Sequence, residues 1–323
     1  SLKEFMATYK EIHGVKVQYR DSDATAIEGD VWYNASTGLL KMYAALGAWS
    51  TGGDLNTGRV SHGMGGTQTA NLVWGGDITN DDYTESYDGS SWTEVADLNT
   101  GRRCSKGFGT QTAAIQGGGA TPNVTTTESW NGASWTEIND VNTARNQGAG
   151  SVGTSTAGAT FGGAPGLAVH EYFDGTNWTE VADLNEGRTG GACFGPQTSS
   201  IFAGGESPQV DDVESWNGTS WTEVTDMNTN AQLRGGAGSS NTEGIVFAGL
   251  TDSPPGTTTV NTEQWDGTSW TEVANISTSR YGPGGTSAGT ASSAAIASGG
   301  HPPEFVNTEE WDVSASIETV AFD

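Results

Sequence analysis

"ESYDGSSWTEV" occupies residues 85–95, and four close copies follow at residues 128–138, 171–181, 214–224 and 263–273. Each copy contains a first run that begins with Glu and ends in an aromatic residue and a second run of "WTEV" or "WTEI", and Asp-Gly or Asn-Gly lies between them. A glycine in this place permits the positive φ angles that reverse the chain within a short hairpin loop. The motif therefore predicts a β-hairpin that is repeated five times in a single chain.

The second Trp of the hairpin sets the length of a repeat. It recurs at intervals of 43 residues, with one interval of 49 before the last copy. A fixed period of this length indicates a solenoid, a propeller or an array. We expect this Trp column to lie in the outer strand of each unit and to pack between neighbouring units. The column consists of Trp49, Trp92, Trp135, Trp178, Trp221 and Trp270.

Each unit reads as four strands: a Gly- and Ser-rich strand, an apolar strand, and the two strands of the hairpin. A sheet of four short strands has too little core to be stable alone, whereas radially stacked sheets cover each other's faces. The predicted units span residues 56–98, 99–141, 142–184, 185–227, 228–276 and 277–320.

An arginine column runs in step with the repeat, commonly within "LNTGR". Two roles are open for it. The arginines bond carbonyls or carboxylates near the start of the inner strand, or they form a ring around one mouth of a channel that holds an anion or a carboxylated sugar. The candidate ligand-binding residues are Arg59, Arg102, Arg145, Arg188, Arg234, Arg280 and, in the last connection, His301.

The first unit carries a resemblance to the kelch repeat of β-propellers, through Arg59, His62, Gly75, Gly76, Tyr87 and Trp92. The resemblance covers roughly residues 49–320, and it implies an all-β, six-bladed kelch-like β-propeller. It departs from the family in the short gap between Tyr87 and Trp92, and His62 has no His counterpart in the other units.

The chain divides into an N-terminal segment, residues 1–46, and the propeller, residues 47–323. The last unit lacks the second Trp of its hairpin, whereas Trp49 has no preceding unit of its own. We expect residues 47–53 to supply the outer strand of the sixth blade and to close the ring.

The N-terminal segment contains "GDVWYNASTGLLKMY" (29–43), which reads as a hairpin around "ASTG". It resembles short segments near the start of tail-fibre and other structural proteins of tailed bacteriophages. An isolated hairpin is marginal in water, so we expect it to pack on the propeller, on a symmetry mate or on another virion protein.

Charge and composition exclude several functions. Acidic residues outnumber basic ones 39 to 13, so the chain would repel a nucleic acid. No apolar run is long enough to insert into a membrane. Cys104 and Cys193 fall at non-equivalent positions of the repeat and are not expected to form a disulfide. The four His are dispersed without metal-ligand spacing, so we predict no metal, no cofactor and no enzymatic activity.

These observations predict a non-enzymatic structural protein of a bacteriophage virion, of fibre, tail or decoration type. It would join other virion proteins through residues 1–46 and contact host-surface glycans. The alternative is a secreted or cell-surface bacterial propeller that binds or processes carbohydrate. The connections between second and third strands vary most among units, and function is commonly carried by variable loops on a rigid scaffold.

Overall fold

A computed structural model describes residues 17–23, 30–76, 81–103, 106–120, 124–145, 149–206, 210–251, 256–285, 294–301 and 305–319. Over these residues the chain is all-β, and it has a propeller-like fold of four-stranded antiparallel sheets, as the repeat predicts. It separates into two compact units. The first comprises residues 1–47 and 313–323, and the second comprises residues 48–312.

The second unit contains five sheets that each follow the chain in order, from an inner first strand to an outer fourth strand. The first sheet consists of β4 (Gly63–Thr67), β5 (Ala70–Trp74), β6 (Thr84–Tyr87) and β7 (Trp92–Glu94). The second consists of β8 (Lys106–Thr110), β9 (Ala113–Gly117), β10 (Thr127–Trp130) and β11 (Trp135–Ile138). The third consists of β12 (Gly150–Thr154), β13 (Ala157–Phe161), β14 (His170–Phe173) and β15 (Trp178–Glu180). The fourth consists of β16 (Ala192–Phe194), β17 (Ser200–Gly205), β18 (Val210–Trp216) and β19 (Trp221–Val224). The fifth consists of β20 (Gly235–Ser240), β21 (Glu243–Phe247), β22 (Thr262–Trp265) and β23 (Trp270–Glu272).

A further sheet joins the two ends of this unit. Its strands are β24 (Gly284–Gly285), β25 (Ala294–Ser298), β26 (Thr308–Thr319) and β3 (Leu39–Thr51), in that order. The pairing continues beyond the end of β3, where Gly52 N–H donates to the Thr308 carbonyl at 2.9 Å. The segment around Trp49 therefore lies beside β26, as part of the fourth strand counted from β24 in a sheet of six strands.

The inner strands of these sheets make a closed ring. β4 contacts β8, and contacts continue through β12, β16, β20 and β24, which contacts β4 again. Close backbone approach makes this possible, since a Cβ on Gly285 would lie 2.5 Å from the carbonyl oxygen of Gly236. Glycine is required at Gly285 because the neighbouring sheet occupies the space of a side chain.

The first unit contains β1 (Gln18–Arg20), β2 (Val31–Asn34), the start of β3 and the end of β26. β1 pairs parallel with β2, and β2 pairs antiparallel with β3 around a turn in which Gly38 has a φ of 71°. Trp32 is fully buried, and Arg20 lies over its ring at 5.0 Å. This small sheet thus has a core of its own.

Candidate functional site

The recurring arginine lies inside each sheet, bound to a glutamate. In the first sheet the Arg59 guanidinium contacts the Glu85 carboxylate at 2.6 Å and donates to the carbonyls of Gly75 and Tyr83. The Glu85 carboxylate also accepts the backbone N–H of Asn56 at 2.7 Å. The arginine thereby joins the "LNTGR" connection to the hairpin strand β6.

The same ion pair occurs in all six sheets, and the side chains are at most 5 % exposed. Burial lowers the pKa of each guanidinium, and the paired carboxylate partly restores it. This geometry corresponds to the first of the two roles, in which each arginine bonds carbonyls and a carboxylate inside its own sheet. The buried guanidinium groups do not form an open ring around the mouth of a channel. The pairs are Arg59–Glu85, Arg102–Glu128, Arg145–Glu171, Arg188–Glu214, Arg234–Glu263 and Arg280–Glu309.

Arg234 belongs to a different backbone position from the other five, which corrects the repeat alignment. Gln232 forms the β-bridge to Leu250 that Thr189 forms to Glu206 in the preceding sheet, so Ala231 occupies the place of Arg188. Arg234 corresponds instead to Gly191, and its guanidinium reaches Glu263 at 3.1 Å from there. The buried charge is retained although its point of attachment has moved three residues along the chain.

Each Trp of the hairpin column ties its sheet to the preceding one. Trp92 Nε1 donates to Thr308 Oγ1 at 3.1 Å, Trp135 Nε1 donates to Thr84 Oγ1, and Trp49 Nε1 donates to Thr262 Oγ1. Trp178 and Trp270 donate to backbone carbonyls, and Trp221 donates to His170 Nδ1. The indole rings thus pack and hydrogen-bond between sheets, and the Trp92 bond joins the first sheet to the last.

His301 lies at the start of a connection, where it forms a two-way backbone bridge with Tyr281. The two rings are 5.1 Å apart and tilted by 52°. Several of the variable connections fall partly outside the described residues, namely at 77–80, 121–123, 207–209, 252–255 and 302–304. The connection at 164–169 is described and forms a compact turn closed by Leu167 N–H on the Gly163 carbonyl at 2.8 Å.

A chain of backbone hydrogen bonds runs across the residues that precede the inner strands. Ser61 N–H donates to Gly282, Gly282 to Leu233, and Leu233 to Gly190, at 2.6–2.8 Å. All four residues have positive φ angles between 51° and 76°. Left-handed backbone is costly for Ser and Leu, so its presence indicates that packing from neighbouring sheets holds these residues in place.

Just beyond these residues the inner strands enclose a cavity of about 30 Å³, which we call the central cavity. All six sheets contribute to it, and its walls are largely glycine backbone. Its ionisable lining residues are His62, Lys106, Cys193 and Arg234. Sequence reasoning did not identify this cluster, because its members fall in four different units.

Burial dominates the protonation of the cavity side chains. It lowers the pKa of His62 well below its usual range, and the charges of Arg59 and Lys106 act in the same direction. Burial raises the pKa of the Cys193 thiol, and Lys106 partly opposes this. The thiol bonds to the backbone of Ser151 in the neighbouring sheet, and Cys104 lies outside the described residues. His62 is therefore neutral and Cys193 is a thiol near neutral pH.

Across the described ranges, no three His, Cys, Asp or Glu side chains come close enough together to hold a metal ion. Over the same residues, the structure contains no helix with the length and apolar character needed to cross a membrane. No protein-family model matches the chain, and no curated protein matches it significantly.

Proposed function

We propose that this chain is a non-enzymatic display protein of a bacteriophage particle, built as a six-bladed kelch-like propeller and joined to the particle through its N-terminal segment. One observation carries the proposal: the residues that recur in every unit are used to build and close the scaffold. The arginines are buried in ion pairs, and the Trp side chains bond between sheets. What remains free to differ among units is the connection between the second and third strands.

These connections are proposed to contact glycans on the host surface. They differ in length and composition, from "APGLAV" (164–169) to "TDSPPGTTTVN" (251–261), while the hairpin that follows them keeps nearly the same sequence in five units. A rigid framework that presents variable loops lowers the conformational entropy lost on binding. Aromatic side chains are present on this side of the sixth blade, where Tyr281 packs against His301.

Attachment through the first unit is supported by its exposed apolar surface. Over the described residues, the large hydrophobic side chains that are exposed all lie in this unit. Tyr19 is 73 % exposed and stacks on Tyr33 at 5.3 Å. An exposed apolar patch indicates a contact with another protein. The set comprises Val17, Tyr19, Tyr33, Leu39 and Ile317.

Two measurements test the proposal. Mass spectrometry of purified particles should detect the chain, and detection only in a cell-free bacterial secretome would favour the alternative of a secreted carbohydrate-binding propeller. A glycan array should lose signal when residues 251–261 are replaced by the connection at 164–169. Equal array signals for the wild type and this loop-swapped variant would refute glycan contact through the connections.

A second variant tests attachment separately. Tyr19→Ser combined with Tyr33→Ser should reduce incorporation into particles while the propeller still melts at its normal temperature. Incorporation at the wild-type level would show that attachment uses another surface.

A further inference from the structure

The turns of the five repeated hairpins use an Asp or an Asn for the same task. In each turn the side-chain oxygen accepts the backbone N–H groups of the residues two and three positions ahead, at 2.7–3.0 Å. A glycine with a φ between 91° and 94° follows each of these residues. The turn therefore requires an oxygen acceptor and does not require an amide. The five residues are Asp88, Asn131, Asp174, Asn217 and Asp266.

The amide nitrogen is the part of the two Asn side chains that the turn uses least. Nδ2 of Asn131 lies 3.4 Å from Ser134 Oγ. Nδ2 of Asn217 lies 3.5 Å from Ser220 Oγ. Both contacts are longer than an ordinary hydrogen bond, and both Asn residues are exposed to water. Loss of the amide nitrogen would thus leave the main contacts of each turn in place.

A nucleophile lies next to each amide, namely the backbone nitrogen of the following glycine. The Asn131 side chain folds back over Gly132, because its Oδ1 reaches the N–H groups of Ala133 and Ser134 at 2.9 Å. The N–H groups of Gly132 and Gly218 have no hydrogen-bond partner among the described residues. Glycine also has no side chain to hinder the approach. Attack of its nitrogen on the Asn Cγ closes a five-membered ring.

The backbone donors of the turn favour this attack. The attack moves negative charge onto Oδ1 of the Asn, and the two N–H groups that already bond this oxygen stabilise the charge as it develops, as in an oxyanion hole. Departure of the amide nitrogen is not opposed by a strong hydrogen bond, since Nδ2 has only its long contact with a serine hydroxyl. The same geometry is present in the second and fourth sheets.

We propose that Asn131 and Asn217 are sites of spontaneous deamidation in the folded protein. The glycine nitrogen loses its proton to hydroxide and bonds to Cγ. The Cγ–Nδ2 bond then breaks, and the nitrogen takes a proton from water and leaves as ammonia. Water hydrolyses the resulting succinimide to aspartate or isoaspartate, which adds one negative charge at each site. This proposal goes beyond the display function and does not depend on it.

The three Asp turns show that the aspartate product fits and does not react further. The Ser90 hydroxyl and the N–H groups of Ser91 and Ser90 lower the pKa of Asp88 to about 2. Backbone hydrogen bonds likewise lower the pKa of Asp174 and Asp266. These side chains are ionised at neutral pH, and a carboxylate is a poor electrophile. Conversion of an Asn turn to an Asp turn is therefore irreversible.

Peptide mapping by mass spectrometry tests the reaction, after the folded full chain has been incubated in mildly alkaline buffer. Asn131 and Asn217 should lose their amides at a rate comparable to that of the chain in urea. Asn177, an exposed residue of the third hairpin turn that precedes Trp178, should keep its amide. Retention of both amides in the folded protein, with conversion in urea, would overturn the proposal. Equal amide loss at Asn177 would also overturn it, because the loss would not depend on glycine.

The double variant Asn131→Asp with Asn217→Asp provides the charge reference. At complete conversion the wild type should gain two negative charges beyond its initial −26 and elute with this variant in ion-exchange chromatography. The variant should have the wild-type Tm and gain no charge during the same incubation. A clearly lower Tm would show that the turns do not accept the product. A variant that gains as much charge as the wild type would place the reaction elsewhere, and either result would overturn the proposal.

Discussion

Arg234 binds Glu263 from a backbone position three residues after the place where the other units have their arginine. The fifth sheet thus keeps the buried ion pair, at 3.1 Å, by a different route. Loss of one member of a buried pair leaves the other charge unpaired in the interior. The exchange of Ala231 and Arg234 between the two positions makes a direct test of what the arginine column does.

We expect Arg234→Gly to reduce the free energy of unfolding by about 3–5 kcal/mol, because Glu263 is left buried without its partner. The double variant Ala231→Arg with Arg234→Gly reproduces the pattern of Arg188 and Gly191 in the fourth unit. It should recover most of the loss in urea unfolding. A double variant no more stable than Arg234→Gly would contradict the equivalence of Ala231 and Arg188.

Trp49 should contribute strongly to closure of the ring. Its ring packs on Phe247 at 5.0 Å and on Trp311 at 5.4 Å, and its N–H bonds to Thr262. Trp49→Ala should therefore destabilise the second unit by about 3 kcal/mol in thermal or urea unfolding. Ser50→Ala, at the exposed neighbour, is the matched control. Similar unfolding of both variants would argue that closure depends little on this strand.

His170 should make stability depend on pH. Burial lowers its pKa to about 3, whereas the unfolded state has a His pKa of about 6.5. An indole N–H only donates, so the 3.0 Å bond from Trp221 requires an unprotonated Nδ1. The unfolded state binds the extra proton between these pKa values. Stability is therefore complete above pH 6.5 and falls as the pH decreases toward 3, by up to about 1.4 kcal/mol per pH unit.

The chain itself suggests the control for this effect. Thr84, Thr262 and Thr308 accept the same indole bond in other sheets, so His170→Thr should retain the bond and lose this titration. Urea unfolding at several pH values should show a shallower slope for the variant. His62 titrates in the same direction, so a residual slope is expected. Parallel slopes for the two proteins would exclude His170 as a source of the pH dependence.

Close packing of the inner strands predicts a sharp difference between two glycines. An added Cβ would lie 2.5 Å from backbone at Gly285, but 3.4 Å from the nearest atom, a Trp178 ring carbon, at Gly117. Gly285→Ala should cost about 1–3 kcal/mol through overpacking, whereas Gly117→Ala should change stability by less than about 1 kcal/mol. Comparable melting temperatures for the two variants would contradict a tightly packed ring.

The repeat predicts much of the fold, because the residues that determine each turn and each strand lie close together in the sequence. Asp88-Gly89 marks a hairpin turn, and Gly89 has the positive φ of 92° that this requires. Trp92 at a fixed spacing marks the outer strand. The glutamate that partners each arginine was missed, although a signal was present: Arg59 and Glu85 are 26 residues apart, and the same spacing recurs in the next three units.

The candidate site could be predicted far less well. The lining of the central cavity depends on which residues of separate sheets face the axis, and the sequence does not show this. A single lysine at the start of one inner strand cannot be told apart, in the sequence, from the normal variation between repeats. The register of Arg234 was wrong for a related reason. Arg234 matches the arginine column by residue type, and only the β-bridge of Gln232 with Leu250 shows that its position is displaced.

The sheet that combines β3 with β26 also affects how the protein is made. During translation, residues 48–51 leave the ribosome long before residues 308–312. A nascent chain that lacks β26 can form five sheets, but the sheet that joins the two ends of the second unit stays incomplete until residues 308–312 are made. A product truncated before Thr308 would therefore leave the first and fifth sheets each with an uncovered face, which chaperones and proteases recognise.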